Sequence, residues 1–293
     1  MLFMLNRISY MDETGHADDP VCNYVGMAGF VAPAGIWEVF SERWQTTLNN
    51  ACLKKPFHMK EFAHFQGEFE GWKESDRKLL LGELIKHIRE INASPVAAIV
   101  SLRDYETLTP SQQSYFGDPY YLAFQTATRG AALEASGYPS EETEPIAMVY
   151  SYNEEYGTTN GGCAEQMWHM VKKHWEKGNL MGSYASSTPQ LLCPLQAADV
   201  FAYELAHDFE RMIKCPTSSM RWGLRQFLYM YQIPLPQIRF FERRALLRLI
   251  RNSYPDKTGV EELGSEMDEM VREQAFMTRW MIERGKYDEE FEV

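Results

Sequence analysis

The amino-acid sequence predicts an α/β protein with a mixed sheet of about five strands flanked by helices. The first observation is that short, apolar, β-prone runs alternate with longer segments of helical periodicity. The second is a pair of neighbouring apolar runs near the start, which favours two antiparallel strands. The third is a change of pattern after Leu192, where the sequence becomes nearly all helical. The predicted organisation is an α/β core over residues 1–214 and a C-terminal helical extension, residues 215–293, packed on that core.

Five segments are predicted as strands. Residues 2–10 and 21–32 flank a short polar turn, so we expect them to pair as an antiparallel hairpin. Residues 95–102 and 145–152 are continuous apolar runs that each begin at a proline, as is typical of strands buried on both faces. Residues 180–187 are less apolar and form the fifth candidate.

Segments of helical periodicity fill the intervals between these strands. Leu80, Leu84 and Ile88 recur on one helical face, and Ser75 precedes them at a position that suits an N-cap. The helices predicted between the strands are 35–52, 75–92, 118–136 and 162–177.

Composition excludes several classes of protein. The 293 residues are 45% hydrophobic and 24% charged, which is typical of a globular protein with a large core. No apolar run approaches the ~20 residues that a membrane helix needs. The apolar run at the start is too short for the core of a signal peptide. The sequence therefore predicts a cytoplasmic protein that does not associate with membranes.

The cysteine count and the net charge narrow the chemistry further. Five cysteines without Cys-x-x-Cys spacing argue against both a disulfide framework and a thiolate zinc site. A net charge of −12 argues against strong nonspecific binding to nucleic acids, which depends on Lys and Arg neutralising phosphates. It does not exclude a nuclease, because a carboxylate-rich site attracts phosphate once metal ions fill it.

Two acidic motifs stand at opposite ends of the predicted core. Asp12 and Glu13 follow the first apolar run, just before Gly15, and Asp199 lies at the edge of the apolar stripe of a helix predicted over 195–213. Buried carboxylates are costly unless a cation neutralises them or they act as acids or bases. The motifs therefore predict a divalent-metal site. The alternatives are a solvated turn at Asp12 and an Asp199 satisfied by a backbone amide or an arginine.

Two other segments contain side chains that suit a metal. His58, Glu61 and His64 follow one another at intervals of three, and imidazole with carboxylate suits a divalent transition metal, whereas carboxylates alone suit magnesium. Glu154 follows the strand predicted over 145–152, and open α/β sheets bind ligands at the carboxyl ends of their strands. A surface turn and a solvated loop are the respective alternatives.

The two acidic motifs resemble signatures of the domain of unknown function 3800 family. Asp12-Glu13-Thr14-Gly15 is similar to its Asp-Glu-Ser-Gly signature, and Gln196-Ala197-Ala198-Asp199 is similar to its Gln-x-x-Asp signature. Residues 58–77 also resemble its middle region, and the whole resemblance covers roughly residues 7–210.

The resemblance implies a fold and an activity, because that family looks like the ribonuclease H-like nucleases. It implies a ribonuclease H-like core and hydrolysis of phosphodiester bonds in DNA or RNA, with Mg²⁺ or Mn²⁺ as cofactor. It places metal ligands on the first strand, on the first helix, after a central strand and on a late helix. In this chain those ligands correspond to Asp12, Glu61, Glu154 or its neighbour Asn153, and Asp199.

The remaining roles follow from the same interpretation. Glu13 or His58 is expected to orient or deprotonate the attacking water. The chain departs from the family pattern where an Asp is expected, because Ser151, Tyr152 and Asn153 stand there. It also shows two clear N-terminal strands where ribonuclease H has three.

These departures leave a second prediction open, which is a non-catalytic member of the same fold that binds nucleic acid or a protein partner. The methionine-rich segment near the C-terminus is predicted to pack on the core or to form the surface of a homodimer. Its methionines are Met267, Met270, Met277 and Met281.

Overall fold

The computed structural model describes residues 7–15, 23–136, 144–152, 164–215, 218–228 and 237–253. The strands in this part of the chain are β1 (Arg7–Thr14), β2 (Tyr24–Pro33), β3 (Ser94–Ser101), β4 (Ile146–Ser151), β5 (Met181–Ser187) and β6 (Ile238–Phe241). They form one sheet in the order β5-β4-β1-β2-β3-β6. The prediction of an α/β protein is confirmed, with six strands instead of about five.

The sheet is mixed in direction, as predicted. β1, β2 and β3 are successive antiparallel neighbours, so the predicted hairpin of the first two strands is confirmed. β4 runs parallel to β1, and β5 runs parallel to β4. β6 adds to the other edge, parallel to β3. The carboxyl ends of β1, β4 and β5 therefore meet at one edge of the sheet.

Helices cover both faces of this sheet. Those in the described ranges are α1 (Ala34–Asn50), α2 (Met59–Ala63), α3 (Glu74–Glu90), α4 (Leu102–Glu106), α5 (Pro110–Phe116), α6 (Pro119–Ser136), α7 (Ala164–His174), α8 (Cys193–Lys214), α9 (Trp222–Leu228) and α10 (Arg243–Ser253). The longer predicted helices are confirmed with ends shifted by at most three residues. The predicted N-cap is wrong, because α3 begins at Glu74 after Lys73, so that Ser75 lies inside its first turn.

The two faces of the sheet bury separate apolar cores. Tyr10 and Phe30 face the core formed with α1, α3, α8 and α9, whereas Met11 faces the core formed with α6 and α7. This alternation follows from the two-residue period of a strand. The ring of Phe30 packs 4.9 Å from that of Phe201 on α8, which fixes α8 against β2. Burying one such ring stabilises the fold by about 1.5–3 kcal/mol.

The acidic pair lies within β1, which corrects the predicted end of the first strand. The prediction ended that strand at Tyr10, but β1 continues to Thr14 because Asp12 stays paired with Ala28, and Glu13 with Met27, on β2. The turn begins after the strand, at Gly15, whose φ of 75° favours glycine. Residues 2–6 of the predicted strand lie outside the described residues.

The prediction that the chain after Leu192 is nearly all helix is wrong at Ile238–Phe241. These four residues form β6 and pair with β3, with Ala97 opposite Ile238 and Val100 opposite Phe241. The run is short and arginines surround it at helical spacing, so the local sequence favoured a helix. Pairing with β3 decides its structure. The segment predicted as a helical extension thus contributes one strand to the sheet.

The structure bears on the predicted absence of a membrane helix but not on the methionine-rich segment. Among the helices described, none is both long enough and apolar enough to cross a membrane. The methionine-rich segment that was predicted as a core or homodimer surface lies outside the described residues.

Candidate metal centre

A cleft of about 530 Å³ opens beside the carboxyl ends of β1 and β4. Five segments line it, which are β1, α2 with the loop before it, the end of β4, the loop after β5, and α8. The cleft collects Asp12, Glu13, His58, Glu61 and Asp199, so five of the seven candidate site residues line one surface. His64 is not among the lining residues. These residues are far apart in the chain, and the sheet order brings them together.

Asp12 and Asp199 are the two buried carboxylates of this cleft. Asp12 extends from β1 toward α8 and is 9% exposed. Burial, together with repulsion from the negative charge of Asp199, raises the pKa of Asp12 to about 8. Burial likewise raises the pKa of Asp199 to about 7. Each carboxyl group therefore resists ionisation near neutral pH unless a positive charge arrives.

Neutral hydrogen-bond donors hold both carboxylates. The Asp12 carboxylate accepts a hydrogen bond from Ser151, and its Oδ1 accepts one from the Glu13 N–H at 3.0 Å. Oδ2 of Asp199 accepts a hydrogen bond from the Met59 N–H at 2.7 Å. The alternative prediction, that a backbone amide would satisfy Asp199, is therefore confirmed for this oxygen. Within the described ranges neither carboxylate forms an ion pair. The pair is oriented but not neutralised.

This donor set fits a hard divalent cation. Mg²⁺ is commonly held by one or two carboxylates, with waters and substrate phosphates completing its shell. Asp12 and Asp199 supply those two carboxylates, and a cation between them would relieve both the burial of charge and the repulsion. Over the residues that the structure describes, no group of three or more His, Cys, Asp or Glu side chains is placed to hold a metal ion. The fit is therefore to an open site and not to a closed protein cage.

Glu61 and His58 line the cleft from α2. Glu61 is half-buried, and its Oε2 lies against Gly67, where an added Cβ would stand 2.7 Å away. His58 is the N-cap residue of α2, and its side chain is exposed. Partial loss of water lowers the pKa of His58, against the opposing effect of Glu61, so the ring is mainly neutral at pH 7. That Glu61 is a metal ligand stays a prediction.

The side chain of Glu13 points away from that of Asp12. Neighbouring residues of a strand face opposite sides of the sheet. Accordingly, Oε2 of Glu13 accepts a hydrogen bond from the Tyr120 hydroxyl at 3.1 Å, on α6, which packs on the other face. Glu13 thus lines the cleft while its carboxylate is bonded to Tyr120, and its predicted role toward water stays a prediction.

The fourth predicted ligand, Glu154, lies outside the described residues. The strand that precedes it ends at Ser151, which with Tyr152 and Asn153 occupies the place where the resemblance implies an acid. Ser151 donates its hydrogen bond to Asp12, so a neutral hydroxyl takes that position beside the carboxylate.

Gln196 organises the cleft, a role that sequence reasoning did not assign to it. It is 2% exposed, and its Oε1 accepts hydrogen bonds from Trp44 Nε1 at 2.8 Å and from the Phe57 N–H at 3.1 Å. Its Nε2 donates to the carbonyl of Pro189 at 2.8 Å. One side chain thus ties two cleft-lining loops to α8. The available signal was a glutamine in an otherwise apolar stretch, three residues before Asp199.

Lys55 is the second residue that sequence reasoning missed. It contributes a cation to the lining of the cleft. The carboxylate of Glu68 accepts the N–H groups of Lys54 and Lys55 at 3.0 and 2.8 Å and so fixes the loop that carries them. A positive charge in the same cleft as the two aspartates suits a phosphate-bearing substrate.

Replacing Gln196 with Ala should lower the free energy of unfolding by roughly 2–6 kcal/mol. The change leaves the Trp44 and Phe57 donors buried without an acceptor, and each such loss costs roughly 1–3 kcal/mol. Urea unfolding followed by tryptophan fluorescence measures the difference. Gln45→Ala, at an exposed position on α1, is the control and should change stability by less than about 0.5 kcal/mol. Equal losses in both variants would contradict the role of Gln196.

The metal-free protein should lose stability relative to Asp12→Asn as the pH rises. Asp12 has its pKa raised from 3.8 to about 8, so between these values the folded state binds more protons than the unfolded state. Stability therefore falls with rising pH across that window, with a slope of at most about 1.4 kcal/mol per pH unit. Asn carries no titrating proton and lacks this loss. Chemical unfolding in EDTA from about pH 4.5 to about pH 8.5 measures it, and parallel curves for the two proteins would contradict the prediction.

Comparison with known proteins does not assign a family, because no protein-family model and no curated protein matches this chain. The candidate centre rests on the two buried carboxylates, Asp12 and Asp199, and on the hydrogen bonds that orient them.

Proposed function

We propose that the protein is a divalent-metal-dependent nuclease that hydrolyses phosphodiester bonds with Mg²⁺ or Mn²⁺. One observation carries this proposal: Asp12 and Asp199 are buried together with raised pKa values, and no described cation pairs with them. Two buried carboxylates would destabilise a protein that used them only for its structure, since their negative charges repel each other and both groups lose water. Perturbed carboxylates that converge in a cleft are typical of functional sites.

In this proposal the residues of the cleft bind the metal ion and the phosphate of the substrate. Asp12 and Asp199 hold the ion from β1 and α8, and their hydrogen bonds to Ser151 and Met59 keep them facing the cleft. When bound, the metal polarises the phosphate and lowers the pKa of an attacking water. Lys55 offers a positive charge to the phosphate of the substrate.

His58 is the better candidate for the general base. A base must be unprotonated at the working pH, and the lowered pKa of His58 keeps its imidazole neutral near pH 7. Glu13 is the second candidate, but its carboxylate is bound to Tyr120 on the far side of the sheet. We therefore assign acceptance of the water proton to His58.

The arrangement of the strands supports a ribonuclease H-like core as part of this proposal. Ribonuclease H has three N-terminal strands, whereas the sequence alone showed two. In the sheet, β1, β2 and β3 lie side by side as successive antiparallel neighbours. In the chain, α1, α2 and α3 separate β2 from β3, so the departure from three consecutive N-terminal strands remains. The acids on β1 and α8 match the first and last ligand positions that the resemblance implies. Fold alone does not decide function, so the site has to carry the argument.

A non-catalytic binding protein of the same fold is the alternative. The lack of an acid where the family pattern expects one favours this alternative, since Ser151, Tyr152 and Asn153 stand there. The net charge of −12 also disfavours broad affinity for nucleic acids. A cytoplasmic location and a homodimer formed through the C-terminal helices stay predictions of the sequence.

A cleavage assay separates the two proposals. Labelled single- and double-stranded DNA and RNA would be incubated with the protein in Mn²⁺, in Mg²⁺ and in EDTA. The nuclease proposal expects cleavage of at least one substrate with either ion and none in EDTA. Binding without cleavage under all conditions would favour the non-catalytic alternative.

A further inference from the structure

A second cleft, of about 340 Å³, lies between α2, α3, α8 and α9. It is rich in positive charge, although the chain as a whole carries −12. Its charged lining consists of Arg77, Lys78, Arg211 and Arg221, with Glu74 and Glu204. None of these residues belongs to the candidate metal centre.

The cations of the second cleft differ in whether they have an acidic partner. Arg221 has one, since it donates to the two carboxylate oxygens of Glu204, at 3.0 and 2.8 Å. Lys78 and Arg211 are exposed, and among the residues described neither forms an ion pair. Arg77 shares its charge with Glu74 over 3.4 Å. Two positive charges, on Lys78 and Arg211, therefore remain without a partner in the described structure.

Arg77 is held in a fixed orientation. Its guanidinium lies 4.7 Å from the ring centre of Phe62 and 4.0 Å from that of Phe65, and its side chain is 13% exposed. Its Nε–H is buried, and no acceptor for it is found in the described structure. Leaving such a donor unpaired costs roughly 1–3 kcal/mol. Arg77 nevertheless lines the second cleft, so it presents its charge there in a fixed position. A rigid guanidinium matches phosphate geometry better than a flexible ammonium does.

The second cleft adjoins the candidate metal centre. α2 separates them, with His58 and Glu61 lining the first cleft and Met59 and Phe62 lining the second. On α8, Tyr203 lies one turn beyond Asp199, about 5–6 Å along the axis, and Arg211 lies about 12 Å beyond Tyr203. Phosphates of a nucleic-acid strand recur about every 3.4 Å along a helix axis, so a strand spans this distance within several nucleotides.

We infer that the second cleft binds a backbone phosphate of the nucleic-acid strand whose scissile phosphate lies at the metal centre. This inference rests on the proposed nuclease function. Arg77 supplies the oriented donor, and Lys78 and Arg211 supply the unpaired charge. The site confers affinity and sets how much of the strand the protein engages, while the chemistry stays at Asp12 and Asp199.

The test compares two double variants with equal loss of charge. Lys78→Ala/Arg211→Ala removes two cations from the cleft, and Arg103→Ala/Lys173→Ala removes two exposed cations from α4 and α7. Binding of a fluorescein-labelled single-stranded oligonucleotide in EDTA is followed by anisotropy at several salt concentrations. We expect the first variant to bind about 10-fold or more weakly, with a salt slope smaller by about 1. The control should stay within about twofold of wild type.

A third variant tests the orientation of the donor. Arg77→Lys keeps the charge but loses the planar fork, so we expect oligonucleotide affinity to fall without a comparable change in the salt slope. Wild-type affinity in this variant would overturn the role assigned to Arg77.

Other outcomes separate this inference from the nuclease proposal. Equal affinity losses in the two double variants, or no binding by wild type, would overturn the second-cleft inference. Metal-dependent cleavage with unchanged affinity in Lys78→Ala/Arg211→Ala would also overturn it while leaving the nuclease proposal standing. Selective loss of affinity without cleavage by wild type would support the phosphate site and reject the nuclease. If inorganic phosphate stabilises wild type against heat while oligonucleotide binding is unaffected in the double variant, the cleft takes free phosphate, and the strand inference fails.

Discussion

Asp12→Asn should abolish metal-dependent cleavage, by a factor on the order of 10³ or more, and leave affinity for the oligonucleotide within about twofold. Asn keeps the size of Asp and an oxygen that accepts hydrogen bonds from Ser151 and the Glu13 N–H, so the strand should keep its structure. It lacks the charge that holds the ion beside the reacting phosphate. Because most affinity comes from cations elsewhere, binding should survive.

The assay needs a control of equal charge. Asp104→Asn, on α4 and outside the cleft, removes one negative charge and should cleave like wild type. All three proteins would be purified in parallel and assayed on the same DNA and RNA substrates in Mn²⁺. Equal cleavage by wild type and Asp12→Asn would indicate a contaminating nuclease and contradict the assignment. Cleavage by none of them, with binding retained, would favour the non-catalytic alternative.

The sequence predicted the central strands and the long helices because local pattern and final burial agree there. β3 and β4 are apolar over most of their length and flanked by proline or polar residues. Their local sequence therefore predicts a strand without knowledge of the strands they pair with. The prediction at β6 was wrong because its local pattern and its final structure disagree. Its four residues are stabilised by pairing with β3, and nothing within 238–241 distinguishes a short strand from the start of an arginine-rich helix.

The acids of the site were predictable because a charge in an apolar pattern is visible in the sequence. Asp12 sits in a β-prone run and Asp199 beside an apolar helical stripe. Their meeting in one cleft depends on the packing of α8 against β1, which no local pattern specifies. The same limit explains why the role of Gln196 was missed. Its partners, Trp44 and Phe57, are 152 and 139 residues away in the chain.

The orientation of Glu13 shows how the length of β1 determines which side chains reach the cleft. Had β1 ended at Tyr10, both acids would have stood in a turn that could bring them to one site. Continued pairing to β2 instead alternates them across the sheet, so Asp12 joins Asp199 and Glu13 joins Tyr120. The two acids thus lie in different environments. The Asp12 carboxylate is buried in the cleft near Asp199, and the Glu13 carboxylate accepts a hydrogen bond from Tyr120 on α6.

The Asp199→Asn variant should lose the stabilisation by metal that wild type shows. An ion that binds only the folded state stabilises it by mass action, by about 2.7 kcal/mol when its concentration is about 100 times the dissociation constant. For a chain of 293 residues, whose entropy of unfolding is about 0.6 kcal/mol/K, that corresponds to a rise of roughly 4 °C in melting temperature. Removing one of the two buried carboxylates removes half of the ligand pair, so the rise in Mn²⁺ should be nearly absent.

The metal-free form of the same variant gives the complementary result. At about pH 8 its melting temperature in EDTA should equal or exceed that of wild type, because the neutral amide introduced by Asp199→Asn does not repel Asp12 and still offers an oxygen to the Met59 N–H. Differential scanning calorimetry of wild type, Asp199→Asn and the Asp104→Asn control, each in EDTA and in Mn²⁺, measures both effects. Equal metal-induced shifts in wild type and Asp199→Asn would place any ion elsewhere. A metal-free variant much less stable than wild type would mean that the Asp199 carboxylate is retained for structure, since its charge would then stabilise the fold despite its burial.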